Sequence, residues 1–170
     1  MLIKLSGPGS VFFVQRRVGY GCNTFRMYKF RSMIPEAETQ AAELSEAMEG
    51  VTFFKIKKDT RVTALGVWLR RFSLDELPQL WNVLLGDMSL VGPRPLLLVD
   101  LERFPRHSQG RRFSVKPGLT GLWQISGRSR LSDVERMRLD LEYVDRRSLR
   151  LDLKILFGTL SAVVSGDGAY

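Results

Sequence analysis

Two serine-x-x-glutamate sequences constrain the fold of this chain more than any other feature. They occupy residues 73–76 (Ser-Leu-Asp-Glu) and 132–135 (Ser-Asp-Val-Glu). In this capping-box pattern the serine side chain accepts from a backbone amide of the first helical turn, and the glutamate reaches back to the serine amide. The sequence therefore predicts helices that begin at the two serines and end near Leu85 and Arg147. Pro78 lies within the first turns of the earlier helix and predicts an irregular start there.

Short apolar runs separated by turn-forming glycines predict a β-hairpin near the start of the chain. Its strands are expected over residues 11–14 and 24–30, with Gly19 and Gly21 in the turn between them. The fold class that follows is α+β: one domain over residues 1–170, mainly helical, with a small antiparallel sheet. Further helices are predicted over residues 35–49, 63–71 and 149–164, a further strand over 51–56, and a rigid extended segment over 90–95.

The net charge of +8, carried mostly by arginine, indicates an anionic partner. Nucleic acid, a phosphorylated substrate and an acidic membrane surface all meet that description, but no helix-turn-helix, RNA-recognition or zinc-finger signature supports nucleic acid. Cys22 is the only cysteine, so an internal disulfide is excluded. His107 is the only histidine, which excludes zinc sites built from several histidines and weakens any Ser-His-Asp arrangement. The sequence has no apolar run of about 18 residues to span a bilayer.

The adjacent acids Asp75 and Glu76 are the candidate reaction centre. Neighbouring helical residues point about 100° apart, so the two carboxyls are not expected to share one proton as a facing pair. They are suited to two different tasks: an ionised aspartate attacks phosphorus, while a glutamate holds a hard cation such as Mg²⁺. A capping box is a complete alternative explanation for Glu76.

Basic residues surround this pair in the sequence. Arg70 lies just before it, and Arg94 lies between two prolines that restrict its backbone, as a phosphate clamp requires. A structural salt bridge to Asp87 is the alternative role for Arg94. Lys29 and Arg31 alternate along a predicted strand and therefore share one face. They either line a phosphate site or solvate a sheet edge.

Six segments spread over nearly the whole chain carry a family resemblance: residues 11–19, 28–33, 69–95, 116–124, 152–156 and 168–170. They resemble the bacterial sugar transferases, the polyprenyl-phosphate sugar-1-phosphate transferases (monotopic phosphoglycosyl transferases) that begin capsule, exopolysaccharide and O-antigen assembly. Because the segments occur in the family's order and together cover much of the sequence, the resemblance is specific.

The resemblance implies a two-step exchange at the cytoplasmic face of the bacterial inner membrane. Asp75 matches the aspartate that attacks the sugar-bearing phosphate of a UDP-sugar and releases UMP. The phosphosugar then passes to a polyprenyl phosphate such as undecaprenyl phosphate. Glu76 matches a glutamate associated with Mg²⁺, and Arg70 and Arg94 match arginines that bind phosphate or nucleotide.

One family feature is missing from the sequence. The resemblance implies a membrane-embedded helix ahead of the segment matching residues 5–13, and the sequence begins at Met1. The chain is therefore expected to be a catalytic domain without that helix, either peripheral or monotopic on the cytoplasmic face of the membrane, or soluble. The basic charge and a last helix lying in the interface are the expected means of membrane contact. The alternative hypothesis is a catalytically silent membrane-surface or interaction module.

Overall fold

The computed structural model describes residues 2–37, 59–101 and 110–165. Its elements confirm the predicted α+β class: mainly helical, with a small antiparallel sheet. The predicted strand over 51–56, His107 and the part of the predicted 35–49 helix beyond residue 37 lie outside the described residues. The helices are α1 (Leu2–Leu5), α2 (Ala64–Arg71), α3 (Gln79–Leu85), α4 (Leu98–Leu101), α5 (Leu122–Ile125), α6 (Asp133–Arg146) and α7 (Leu149–Ser165). The strands are β1 (Phe12–Val18), β2 (Thr24–Phe30), β3 (Ser89–Val91) and β4 (Gly118–Thr120).

The predicted β-hairpin is confirmed, and its first strand is longer than expected. β1 and β2 pair antiparallel from Phe12 opposite Phe30 to Val18 opposite Thr24. Gly21 adopts a φ of 62° in the connecting turn, a left-handed conformation that costs glycine little. Paired positions of an antiparallel ladder share a face, so the register decides which side chains of the two strands meet.

The sequence did not predict the second strand pair. β3 and β4 run parallel, with Ser89 opposite Gly118 and Val91 opposite Thr120. The pair needs glycine, because a Cβ on Gly118 would lie 2.0 Å from the backbone nitrogen of Gly92. The predicted extended segment over 90–95 is thus a strand as far as Val91 and then bends, with Gly92 and Pro93 still hydrogen-bonded to β4.

Two apolar clusters hold these elements together. Val18, Leu96 and Phe113 join β1 to the segments on either side of α4. Val91, Tyr143 and Ile155 join β3 to α6 and α7. The hairpin, the Pro-Arg-Pro segment at residues 93–95 and α6 therefore converge.

Large apolar side chains lie exposed at several places on the described surface, among them α7 and the region of α2 and α3. A stripe on α7 contains residues at spacings of four, three and four, which place them on one face of the helix. No helix in the described parts of the chain is long and apolar enough to cross a membrane. A second group of exposed apolar side chains lies on α2, α3 and the turn between them and is called the apolar surface. It contains Val67, Trp68, Leu74, Leu77, Leu80, Trp81, Leu84 and Leu85. The α7 stripe contains Leu153, Phe157, Leu160 and Val164.

Candidate active site

The first predicted capping box does not form, so the prediction that a helix begins at Ser73 is wrong. Ser73 has a left-handed backbone (φ 53°, ψ 22°) and its side chain caps no amide. Residues Leu74–Glu76 form a single 3₁₀ turn, and α3 begins only at Gln79. The physical reason is Pro78, whose ring and missing N–H disrupt any helix that begins several residues earlier. The irregular start predicted from Pro78 is confirmed.

Glu76 uses its carboxylate to bind two cations. Its Oε1 lies 2.8 Å from Lys29 Nζ and 2.6 Å from Arg94 Nη2, and all three side chains are largely buried. Its Oε2 has a longer contact of 3.4 Å with Arg94 Nη1. Burial alone would raise the pKa of Glu76, but Arg94 and Lys29 outweigh burial and hold that pKa well below its ordinary value. The capping box offered as an explanation for Glu76 therefore does not form, and the ion pair with Lys29 and Arg94 is a contact that the sequence did not predict.

Asn82 explains how α3 and the preceding turn are brought to the hairpin. Its side chain is fully buried, with the Nδ2 donating to the carbonyl of Arg26 at 2.7 Å. Its Oδ1 accepts from the amide of Tyr28 at 3.1 Å, so one asparagine satisfies two backbone groups at the edge of β2. This contact places Lys29, the next residue of β2, within reach of Glu76. The salt bridge between Arg94 and Asp87, considered from the sequence, does not form. Arg94 pairs with Glu76 instead, and Asp87 accepts from the Asn82 side chain.

Asp75 is buried beside this ion-pair cluster, with 8% of its surface exposed. Burial raises the pKa of Asp75, and the charges of Lys29, Arg70 and Arg94 oppose that rise. Within the described ranges no hydrogen bond to its side chain is formed, so its oxygens are not committed to other groups. The Asp75 carboxylate is therefore available to react and is flanked by cations that favour its ionised form.

Arg70 and Arg17 extend the positive charge around the two acids. The Arg70 Nε donates to the hydroxyl of Ser32 at 3.0 Å. Arg17, which the sequence did not single out, donates to the carbonyl of Pro95 at 3.3 Å. Burial, together with the charge of Arg94, lowers the pKa of Arg17 to about 10. The hairpin register is the signal that identifies Arg17, because it places that residue on the same sheet face as Lys29.

Arg31 is the predicted site residue that the structure does not bring to this cluster. β2 ends at Phe30, and the Arg31 guanidinium turns towards the first described residues of the chain. Its Nη2 donates to the carbonyls of Ile3 and Gly7, each at 2.7 Å, and its Nη1 donates to the carbonyl of Pro8. Lys29 and Arg31 thus contact different parts of the molecule.

The acids and bases of the site leave an excess of positive charge. Lys29, Arg17, Arg70 and Arg94 stand against Asp75 and Glu76, an arrangement that favours an anionic ligand. Within the described residues no group of three or more histidine, cysteine, aspartate or glutamate side chains could hold a metal ion. Glu76 Oε2, whose contact with Arg94 is long, nevertheless fits the way Mg²⁺ is commonly held, by one or two carboxylates completed by substrate phosphates and water.

Comparison with known proteins places the chain in a family. The sequence model of the family described as "Bacterial sugar transferase" matches residues 1–166. The galactosyl transferase CpsE of Streptococcus agalactiae is 46% identical over 95% of this chain and 36% of its own length. The exopolysaccharide production protein ExoY of Sinorhizobium fredii is 42% identical over 99% of this chain and 76% of its own length. The undecaprenyl-phosphate galactose phosphotransferase of Salmonella typhimurium is 44% identical over 95% of this chain.

The chain is shorter than these relatives. It spans 36% of the length of the Streptococcus protein and 35% of the Salmonella protein, but 76% of the Sinorhizobium protein. The shared part is therefore the unit that contains the Asp75–Glu76 turn, the hairpin and the Pro-Arg-Pro segment.

Proposed function

Because this chain belongs to the bacterial sugar transferase family, we propose that it transfers a sugar 1-phosphate from a UDP-sugar to a polyprenyl phosphate, the step that initiates exopolysaccharide, capsule or O-antigen synthesis. The observation that carries the proposal is Asp75, a buried carboxylate uncommitted to hydrogen bonds among the described residues and flanked by cations. Relatives named as galactosyl and galactose-phosphate transferases make UDP-galactose the first donor to test.

The first half-reaction uses Asp75 as the nucleophile. An oxygen of its carboxylate forms a bond to the sugar-bearing phosphorus of the UDP-sugar. The bond from that phosphorus to the bridging oxygen breaks, and the electron pair leaves with UMP. The product on the protein is an aspartyl phosphosugar. No general base is needed, because the ionised carboxylate attacks directly and has no proton to be removed.

The second half-reaction reverses these roles with a lipid acceptor. A phosphate oxygen of the polyprenyl phosphate attacks the same phosphorus, and the bond to the Asp75 oxygen breaks. The carboxylate is regenerated, and a polyprenyl diphosphate sugar is released. Relatives whose names include a lipid carrier or undecaprenyl phosphate support this acceptor.

The basic residues have separate tasks in this scheme. Arg70 is held by Ser32 near Asp75, and Arg17 lies next to Arg94, so both are placed to balance the oxygens of a diphosphate. Lys29 and Arg94 hold Glu76 in one orientation beside Asp75. Transfer of phosphoryl groups depends on such positioning and charge balance more than on proton transfer.

Magnesium is the cofactor in this proposal, with Glu76 as its ligand from the protein. The Oε2 atom of Glu76, whose contact with Arg94 is long, is the oxygen placed to take that role. A bound Mg²⁺ would neutralise the diphosphate and reduce its repulsion of the attacking carboxylate.

The cytoplasmic membrane face is the proposed location of the reaction. Leu74 and Leu77 of the apolar surface flank Asp75 in sequence, and both are exposed. A membrane in contact with the apolar surface would bring the phosphate of a polyprenyl phosphate close to Asp75, and exposed apolar patches commonly mark such contacts. The α7 stripe and the positive net charge support binding to an anionic leaflet.

UMP release is the assay that tests the proposed function. With Mg²⁺ and a panel of UDP-sugars, the protein should release UMP without any lipid acceptor, and then transfer the phosphosugar when polyprenyl phosphate is added. Asp75→Asn should slow UMP release by at least about 10³-fold, because the nucleophile is lost. The matched control Asp145→Asn, which changes an exposed aspartate on α6, should retain the wild-type rate. UMP release that survives Asp75→Asn would contradict the mechanism.

Vesicle sedimentation tests the membrane contact separately. The protein should sediment with vesicles of anionic phospholipid and much less with neutral ones, and equal recovery would contradict the contribution of charge. Trp81→Glu on the apolar surface should reduce the bound fraction several-fold, whereas Val99→Glu on α4 should not. UMP release by Trp81→Glu without lipid should stay at the wild-type rate.

If UMP is released from none of the UDP-sugars, the enzyme hypothesis fails and the silent interaction module replaces it. The names of the relatives, which are transferases and exopolysaccharide production proteins, do not favour that alternative.

A further inference from the structure

Four consecutive backbone carbonyls around Arg94 are each held by a donor from another part of the chain. The backbone amides that hold the first and last carbonyls belong to β4 and β1, and two arginine side chains hold the middle ones. This leaves the backbone of Arg94 little freedom, beyond the restriction imposed by its two prolines. The pairs are Gly118 N with Pro93 O at 2.9 Å, Arg112 Nη2 with Arg94 O, Arg17 Nη1 with Pro95 O at 3.3 Å, and Val18 N with Leu96 O at 2.8 Å.

Arg112 is the most deeply buried of these donors that carry charge. Its side chain and that of Asp140 on α6 are almost fully buried, at 3% and 5% exposed. The Arg112 Nε and Nη2 donate to Asp140 Oδ2 at 3.0 and 2.7 Å, and the same Nη2 reaches the Arg94 carbonyl. The ring of Phe113 lies against the guanidinium, with 5.4 Å between the guanidinium carbon and the ring centroid. The guanidinium is therefore fixed from three sides.

The pair is poorly arranged for stability alone. A buried ion pair is often no more stabilising than well-packed apolar residues of similar volume. Asp140 Oδ1 is buried with no hydrogen-bond partner, and burial raises the pKa of Asp140 to about 6 in spite of Arg112. An apolar pair would avoid both costs but would leave the Arg94 carbonyl without its donor.

We propose that Arg112, oriented by Asp140, is a positioning residue for the transfer reaction, because it anchors the backbone of Arg94 and so directs the Arg94 guanidinium onto Glu76. The inference rests on the proposed function for its effect on rate. The hydrogen bonds of the Arg112 side chain are to Asp140 and to the Arg94 carbonyl, so its route to the reaction centre runs through Arg94. A loss of this anchor lets the Arg94 side chain, and with it Glu76, move away from the geometry that serves Asp75.

The test compares Arg112→Met with the matched control Arg111→Met. Arg111 also pairs with an aspartate of α6, Asp145, but both are exposed and neither holds Arg94. Arg112→Met should slow UMP release at saturating donor by about 10-fold or more, since small misplacements near a reacting centre cost about that much. Arg111→Met should leave the rate unchanged. Equal rates for the two variants would overturn the proposal.

A double-mutant comparison distinguishes positioning from a general structural defect. If Arg112 acts through Arg94, the double variant Arg112→Met/Arg94→Lys should be no slower than Arg94→Lys alone. If the loss of rate in the double variant equals the product of the losses in the two single variants, the proposal is overturned. Arg112→Lys, which keeps the buried charge but loses the planar fork of donors, replaces Arg112→Met in both measurements if the methionine variant does not fold.

An NMR measurement tests the anchor without relying on activity. The Nε–H signal of Arg94 should be sharp and protected in the wild type and in Arg111→Met, and broadened or lost in Arg112→Met and Asp140→Asn. An unchanged Arg94 signal in those last two variants would overturn the inference. If the wild type releases no UMP but the signal behaves as expected, the proposed function fails while the anchor stands.

Discussion

The two Ser-x-x-Glu sequences have the same local pattern and opposite outcomes. At α6 the capping box forms: Ser132 Oγ accepts from the amide of Glu135 at 3.3 Å, and Glu135 Oε2 accepts from the amide of Ser132 at 2.8 Å. In the turn before α3, Ser73 is left-handed and Glu76 binds Lys29 and Arg94. The same four-residue pattern therefore begins a helix in one place and forms part of the candidate active site in the other.

The difference teaches what decides between a local and a distant partner. Around Glu135 the surroundings are exposed, and its carboxylate accepts from the amide of Ser132 in its own element. Around Glu76 two largely buried cations need a counter-charge, and leaving them unpaired costs more than leaving one helix start uncapped. Pro78 strengthens the outcome because it weakens any helix that would use the first box.

The largest expected effect comes from the same substitution at the two glutamates. Glu76→Gln removes the ion-pair partner that Lys29 and Arg94 share, and we expect the free energy of unfolding to fall by about 3 kcal/mol, with a large loss of UMP release. Glu135→Gln keeps an oxygen that accepts from the Ser132 amide, so little change is expected. Urea unfolding followed by tryptophan fluorescence measures both. Similar losses in the free energy of unfolding for the two variants would contradict the different roles assigned to the two glutamates.

A smaller effect separates the two serines. Ser132→Ala removes a formed cap and should reduce the free energy of unfolding by about 1 kcal/mol. Ser73→Ala removes a hydroxyl whose one contact in the described structure is a 3.4 Å bond from Arg128, so its cost should stay below about 0.5 kcal/mol. The same unfolding measurement applies. A larger loss in the free energy of unfolding for Ser73→Ala than for Ser132→Ala would contradict the comparison.

Local patterns in the sequence predicted much of the fold. The hairpin follows from apolar runs and turn glycines, and α2 is capped by Thr63, whose hydroxyl accepts from the amide of Gly66. α6 and α7 also lie where their patterns placed them. The β3–β4 pair escaped prediction because each strand has three residues and its partner is distant in sequence.

The residues of the candidate site likewise divide into those that were identified from the sequence and those that were missed. Asp75, Glu76, Lys29, Arg70 and Arg94 were identified from residue type, spacing and family resemblance, and the structure brings them together. Arg17 and the Arg112–Asp140 pair were missed, because their roles depend on strand register and on contacts between distant segments. Sequence patterns predict contacts within one element, whereas charged groups buried between elements find partners only in the complete fold.

The most direct test of the account is the location of the phosphosugar on the protein. The protein is mixed with its UDP-sugar and Mg²⁺, quenched, digested and analysed by mass spectrometry. The account predicts one added sugar phosphate on Asp75, absent from Asp75→Asn and formed more slowly in Glu76→Gln. An adduct on any other residue, or steady UMP release with no adduct, would contradict the assignment of Asp75 as the nucleophile.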